Sequence, residues 1–133
     1  MKRLAALSAG VAAAWLAFAP AQATCLKANA PEQTAEGRLD SIRITIETYK
    51  LKEQAYILRL ASPACLEGED EFDKIESTNR VHVFATDDAL RNRLRSLVGK
   101  PVRVTGAPFG EHTAHHHAPI VMRISRVEQA AGR

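Results

Sequence analysis

The sequence predicts a small, mainly β domain that contains one α-helix. Five segments alternate apolar and polar residues with a period of two, which is typical of strands, and one segment has helical spacing. The helical segment falls between the third and fourth strands. This order, with a long first strand, is the order of an OB-fold barrel. We therefore expect a small OB-fold-like five-stranded barrel with one helix between strands 3 and 4, and a small all-β sandwich is the alternative.

The first predicted strand, over residues 34–49, changes phase along its length. Its apolar residues stand on odd positions as far as Leu39 and on even positions from Ile42 to Ile46. A β-bulge shifts the phase of a strand by one residue, so we expect a bulge near Asp40. The polar residues before the second strand, which covers residues 55–66, are predicted to form the turn.

The later elements are read in the same way. A solvated acidic loop, a short strand, the helix and two more strands are predicted over residues 67–79, 80–85, 86–99, 100–106 and 119–127, respectively. Thr86 can cap the start of the helix, and Gly99 suits its C-terminal end. The apolar stripe of the helix is formed by Leu90, Leu94, Leu97 and Val98.

Residues 1–23 have the features of a secretory signal peptide. Lys2 and Arg3 form a basic start, and an Ala-rich apolar run follows. The sequence Ala-Gln-Ala at residues 21–23 fits the small-x-small pattern that precedes a cleavage site. The apolar run is shorter than the ~20 residues that span a bilayer. We therefore expect residues 24–133 to form one domain, periplasmic or secreted, without membrane contact after cleavage.

The chain has two cysteines, Cys25 and Cys65. In an oxidising compartment, an even pair predicts a disulfide bond. This bond would tie the start of the mature domain to the end of an early strand. A pair of thiolate metal ligands is the alternative, and neither cysteine lies in the C-x-x-C motif that would favour it.

The charge balance bears on the class of partner. The chain has 18 Lys+Arg against 15 Asp+Glu, and loss of the two basic leader residues leaves a net charge of about +1 on the mature domain. Proteins that bind single-stranded nucleic acid need aromatic rings to stack on bases in a basic groove, and the mature domain has few aromatic residues. The sequence therefore predicts no nucleic-acid partner.

The segment "GEHTAHHHAP", residues 110–119, holds four of the five histidines: His112, His115, His116 and His117. Zinc commonly takes imidazole nitrogens as ligands, and copper would bind such a set as well. A helical turn would place His112, His115 and His116 on one side, whereas an extended segment would pair His115 with His117. Exposed loop side chains without a ligand are the alternative.

The fifth histidine, His82, is predicted to join this cluster. Strands three and five of an OB barrel lie side by side and run parallel. His82 lies near the start of strand three, and His117 lies just before strand five. The alternation of Val81 and Val83 with His82 directs the His82 side chain out of the barrel. We therefore expect His82 to approach the histidine loop and complete a zinc or copper site.

Catalytic motifs are not apparent in the sequence. It has no serine elbow, no HExxH and no Gly-rich phosphate loop. Glu111 lies beside His112, but neighbouring loop residues are a weak basis for an acid–base pair. The sequence therefore predicts that the protein is not an enzyme.

Residues 97–122 resemble a family of small exported bacterial proteins known only as a domain of unknown function. The shared pattern is a G-K-x-V-R-V-T-G strand, a phenylalanine and an H-T-x-H-H-H-x-P loop, here Gly99–Gly106, Phe109 and His112–Pro119. Cys65, at the end of a strand, is similar too. Members often carry a further histidine after the phenylalanine, where this chain has Gly110. The resemblance implies a functional loop and supplies no activity.

These observations predict a periplasmic or secreted, non-catalytic binding module. Its histidine loop is expected to bind a divalent transition metal, zinc or copper, or a small ligand. The alternative is a protein–protein module, such as an inhibitor or immunity protein, that contacts a periplasmic protein through the same loop. The predicted OB fold alone does not identify the ligand, because one fold supports many functions.

Overall fold

The computed structural model describes residue 10 and residues 25–131. The predicted signal peptide, residues 1–23, therefore lies outside the described residues apart from Gly10. Six strands, a 3-10 helix and an α-helix follow in the order β1 Cys25–Lys27, β2 Gln33–Ile46, β3 Leu51–Glu67, 3-10 helix Glu71–Asp73, β4 Ile75–Phe84, α1 Asp88–Ser96, β5 Pro101–Gly110 and β6 Ile120–Gln129. Within the described part of the chain, no helix is long and apolar enough to cross a membrane.

Five of the strands close into a barrel. β2 pairs with β3, β3 with β4, β4 with β6, β6 with β5, and β5 with β2, so hydrogen bonds run around the ring. Only β4 and β6 run parallel within this ring, as predicted for strands three and five. With α1 between β4 and β5, the predicted OB-fold-like, mainly β architecture is confirmed. The extra strand, β1, is too short to show an alternation in the sequence.

The inside of the barrel is filled with apolar side chains from every strand of the ring. The core cluster includes Leu39, Leu58, Val81, Val83, Val102, Val104, Ile120 and Met122, each fully or almost fully buried, together with Leu94 of α1 and Leu97, the residue that follows α1. Val98, predicted to belong to the helical stripe, is instead exposed because it follows the end of α1. The helix is capped by the Asp87 side chain, which accepts a 2.8 Å hydrogen bond from the Leu90 amide, and not by Thr86.

The phase change in β2 is present, but its predicted cause is wrong. Burial falls on odd positions as far as Leu39 and on even positions beyond it. The ladder between β2 and β3 nevertheless runs without a shift from Gly37 to Ile46, so there is no bulge near Asp40. The pairing of β2 with β5 ends at Arg38. Beyond that point β2 pairs with β3 in a hairpin arm, and its even positions turn their side chains to the outer face.

Residues on that outer face form a second apolar layer. Directly paired residues share a face of a sheet, and the ladders pair Ile57 with His82 and His82 with Val121. Ile57, Ala55 and Val121 are 2%, 3% and 0% exposed, yet none belongs to the core cluster inside the barrel. We call Ala55, Ile57, His82 and Val121 the outer layer.

The acidic segment is more ordered than predicted. β4 begins at Ile75 rather than Arg80, so about two thirds of the predicted loop is strand and 3-10 helix. Asp73 is 1% exposed, and its Oδ1 atom accepts a 2.8 Å hydrogen bond from the Gly110 amide. The segment is therefore packed against the end of β5.

The predicted disulfide bond between Cys25 and Cys65 is confirmed. β1 runs parallel to β3 with these two residues directly paired, and the bond closes a loop with a sequence separation of 40. It holds the three-residue strand β1 against the barrel.

Removing this bond should destabilise the domain. For the Cys25→Ala/Cys65→Ala double variant, we expect the free energy of unfolding to fall by about 4 kcal/mol, because closing a loop of this length restricts the unfolded chain by that amount. Urea unfolding of the oxidised protein and the variant measures the difference. The reduced wild-type protein is the control and should match the variant. A variant as stable as the oxidised protein would contradict the expectation.

Candidate functional site: the histidine loop

The histidine loop, residues 111–119, joins β5 to β6 and is closed at its base. The Glu111 amide donates a 3.0 Å hydrogen bond to the Pro119 carbonyl oxygen. Within the loop, the His116 amide donates to the Thr113 carbonyl oxygen at 3.1 Å, and the His115 amide donates to the Thr113 hydroxyl at 3.2 Å. The loop is therefore a compact turn whose conformation is fixed by its own backbone.

The loop packs on the outer layer through His82, as the sequence predicted. The His117 amide donates a 3.2 Å hydrogen bond to His82 Nδ1, and the two rings stack with centroids 5.4 Å apart. His82 lies on the outer face of β4, but the loop covers it, so it is only 8% exposed. The His82 side chain therefore points out of the barrel and is nevertheless buried, because the histidine loop covers it.

A second anchor joins the loop to the hairpin arm through Glu53 of β3. His117 Nε2 lies 3.1 Å from Glu53 Oε2, and His115 Nδ1 contacts Glu53 Oε1. The hydrogen bond from His117 is the main cause that holds the pKa of Glu53 below its ordinary value, opposed by partial burial and assisted by His115. Glu53 therefore remains a carboxylate at neutral pH.

Sequence reasoning missed Glu53, because it assigned this residue to the polar turn. The turn is shorter, since β3 already begins at Leu51. Glu53 has the same parity as Ala55 and Ile57, which places all three on the outer face. That parity is the signal in the sequence that could have found it.

His112 and His116 form a separate group at the other side of the loop. The His112 amide donates a 3.1 Å hydrogen bond to His116 Nδ1, and His112 Nδ1 donates to the Gly110 carbonyl oxygen at 3.0 Å. Ring centroids lie 4.8 Å apart between Phe72 and His112, 4.8 Å between His112 and His116, and 5.2 Å between Phe109 and His116. We call Phe72, Phe109, His112 and His116 the aromatic–imidazole patch.

Burial is the main reason that the pKa of His116 lies below its ordinary value. The neighbouring imidazole of His112 lowers it further, and Glu111 opposes the shift. His116 is therefore neutral at neutral pH, and its Nδ1 atom is available as an acceptor.

The predicted metal partner is contradicted by this arrangement. Within residues 25–131, no group of three or more His, Cys, Asp or Glu side chains could hold a metal ion. The five histidines divide into two groups, and the Nδ1 atoms of His82 and His116 accept hydrogen bonds from backbone amides. A zinc or copper ion shared by His112, His115, His116, His117 and His82 would need nitrogens that converge on one point.

Position 110 is a glycine in this chain, whereas the family that it resembles often carries a histidine there. The close packing around Gly110 gives a reason for the difference. A Cβ atom on Gly110 would lie 1.5 Å from the Phe72 carbonyl oxygen and 3.1 Å from the Asp73 amide nitrogen. The 3-10 helix packs directly against the backbone of β5 at this point. No side chain fits at this position without moving that helix.

His82 gives the site a specific dependence on pH. Burial is the main cause that lowers the pKa of His82 to about 4, and His117 and His116 lower it further, whereas Glu53 raises it. In the unfolded chain His82 takes up a proton as the pH falls below about 6.5, whereas in the folded protein it does so only near pH 4. The folded state therefore loses stability as the pH falls across this window.

We expect the free energy of unfolding of the wild-type protein to fall more steeply between pH 7 and pH 5 than that of His82→Gln. The difference should be about 1 kcal/mol per pH unit once His82 titrates in the unfolded chain. The Gln carbonyl oxygen keeps an acceptor for the His117 amide. Urea unfolding at a series of pH values measures the slopes, with Arg95→Gln on α1 as the control. Equal slopes for wild type and His82→Gln would show that His82 is not the titrating group.

One solved structure that is similar to this chain is a small single-stranded DNA-binding protein from Streptomyces coelicolor. The two share 16% sequence identity with a TM-score of 0.41 over 76% of this chain and 95% of the other. The predicted exclusion of a nucleic-acid partner is contradicted by this finding and is withdrawn. A likeness of this size assigns no ligand to the chain.

No curated protein matches the sequence. Residues 80–128 match the family model "Domain of unknown function (DUF4431)". The matched segment runs from β4 through α1 and β5 to β6, and it contains His82 and the whole histidine loop. The predicted resemblance to a family known only as a domain of unknown function is thereby confirmed over these residues.

Proposed function

We propose that this protein is an exported, non-catalytic binding module that contacts a partner protein through the aromatic–imidazole patch. One observation carries the proposal: two phenyl rings contact two imidazoles of the histidine loop in tilted and edge-to-face arrangements at the surface. Phe72, at the edge of the patch, is 42% exposed. Of the functions that the sequence suggested, this arrangement favours the protein–protein module over the metal site.

Rigid aromatic side chains are effective contact residues. They bury a large apolar area and lose few rotamers when they do so, which is why aromatic residues dominate the binding energy of many interfaces. The histidine loop is held at its base, at His82 and at Glu53. Binding therefore requires little further ordering of the loop, which favours affinity.

The shape of the site supports a protein partner over an enclosed small molecule. Three surface cavities, of about 740, 440 and 860 Å³, have no residue of the histidine loop in their lining, and Glu53, the second anchor of the loop, lines the cavity of about 440 Å³. Residues 111–115 of the loop are exposed. An exposed loop that is held at several points suits the cleft of another protein, as in an inhibitor or immunity protein that enters the active site of its target.

Two further observations support the remaining parts of the proposal. Both cysteines are joined in the disulfide bond, so neither thiol is available as a nucleophile. A disulfide bond is typical of proteins in oxidising compartments, which agrees with the predicted signal peptide and with a periplasmic or secreted location.

Alteration of the patch should abolish partner binding without unfolding the domain. We expect the Phe72→Ala/His112→Ala variant to bind the partner at least about 30-fold more weakly, because central aromatic contacts contribute about 2 kcal/mol or more. The immobilised mature protein would be incubated with periplasmic extract of the producing cells in the presence of EDTA. Quantitative mass spectrometry would identify the retained protein, and calorimetry with that purified protein would measure the affinity.

Val98→Ala is the matched control, since Val98 is an exposed apolar residue outside the patch, 37% exposed. It should bind the partner as the wild-type protein does. Retention of the same partner at equal affinity by the Phe72→Ala/His112→Ala variant would place the contact surface elsewhere. A requirement for zinc or copper in the assay would contradict direct contact by the patch.

A further inference from the structure

Three arginines form a row across the outer face of the barrel. Arg38 of β2 is directly paired with Arg59 of β3, and Arg59 is directly paired with Arg80 of β4. Paired residues share a face of the sheet, so all three side chains lie on the same side, and all three are exposed. The row lies two residues along the strands from Ile57 and His82, beside the outer layer.

The positive charge of this row is only partly balanced. Arg59 is ion-paired with Asp40. Arg38 donates a 2.8 Å hydrogen bond to the Gly99 carbonyl oxygen, and within residues 25–131 neither Arg38 nor Arg80 takes part in an ion pair. Like charges on directly paired positions destabilise a sheet. The fold thus keeps an arrangement that costs stability, in a domain of nearly neutral net charge.

The row borders an open groove. Arg38 and Arg59 line a surface cavity of about 860 Å³, which Arg103 also lines. Arg103 is bonded to Glu36, with a 2.6 Å hydrogen bond from its Nε atom. Glu36 and Glu128 line the same cavity, and Arg38 is the arginine of its lining that has no ion pair among the described residues. The arginine row continues from Arg38 and Arg59 to Arg80.

We propose that the arginine row, Arg38, Arg59 and Arg80, binds a linear polyanion of phosphate groups that lies across β2, β3 and β4. Guanidinium groups match the geometry of phosphate oxygens and can bind them through two hydrogen bonds each. Neighbouring strands are about 4.8 Å apart, so the row extends over about 10 Å, which suits a chain of phosphates better than a single ion. This inference uses other residues than the aromatic–imidazole patch and does not rest on it.

Fluorescence anisotropy with a labelled oligothymidylate of about twelve nucleotides tests the proposal, because such lengths fill typical single-strand sites. Inorganic polyphosphate and inorganic phosphate would be used as competitors over a range of salt concentrations. With three phosphate contacts, the slope of log K against log salt should be about −2. Arg59→Ala/Arg80→Ala should bind at least tenfold more weakly, with a slope closer to −1.

Arg95→Ala on α1 removes the same charge elsewhere and should bind as the wild-type protein does. Phe72→Ala/His112→Ala should also bind the oligonucleotide normally, which separates this proposal from the proposed protein contact. Thermal unfolding of Arg80→Ala should be unchanged or slightly raised, because Arg80 has no ion pair to lose. A purely structural role for Arg80 would lower it.

The competitors distinguish two sources of the same chemistry. Equal displacement by polyphosphate and by unlabelled oligonucleotide would support a ligand recognised by phosphate alone. Stronger displacement by the oligonucleotide would support single-stranded nucleic acid as the ligand. Displacement by inorganic phosphate as effective as by polyphosphate would overturn the linear polyanion. Equal loss of binding in Arg95→Ala, or no binding by the wild-type protein at low salt, would overturn the proposal as well.

Discussion

The arrangement of the site depends on one hydrogen bond, from the His117 amide to Nδ1 of His82. This bond requires a neutral imidazole, because both nitrogens of a charged histidine are donors. Burial under the loop keeps the ring neutral by lowering its pKa, and the neutral ring in turn accepts the amide that holds the loop in place. The histidine loop and the His82 ring beneath it thus stabilise each other. Without this acceptor, the partly buried amide of His117 would lose its partner.

The opposite side of the loop is fixed by close backbone contact. Asp73 accepts the Gly110 amide, and the Phe72 carbonyl oxygen lies where any side chain at Gly110 would have to be. This contact places the Phe72 ring beside His112. The aromatic–imidazole patch is therefore assembled from two segments that are far apart in sequence, and both are attached to the barrel. A surface of this kind keeps its shape without a ligand.

The sequence was informative where local patterns decide the structure. Alternation and one capped helix were sufficient for the order of the barrel, and the parallel pairing that follows from this order brought His82 to His117. Glu53 was missed because its contact with His117 spans 64 residues and depends on where a hairpin turns. For a related reason, the histidines predicted as metal ligands do not form one group within residues 25–131. A cluster of four histidines in the sequence shows that several imidazole nitrogens are close together. The direction of each nitrogen depends on the folded backbone, which the sequence pattern does not reveal.

The outer layer explains why the histidine loop is both structural and exposed. The inside of the barrel is filled by its own side chains, so a ligand must be bound outside it. The part of the outer face that carries Ala55, Ile57 and Val121 is apolar, and without a cover it would be an exposed hydrophobic patch. The base of the loop, at His117 and Ala118, provides that cover, and this leaves the tip free to carry contact residues. Changes at the base should therefore affect folding, whereas changes at the tip should affect recognition, because only the tip is outside the packed layer.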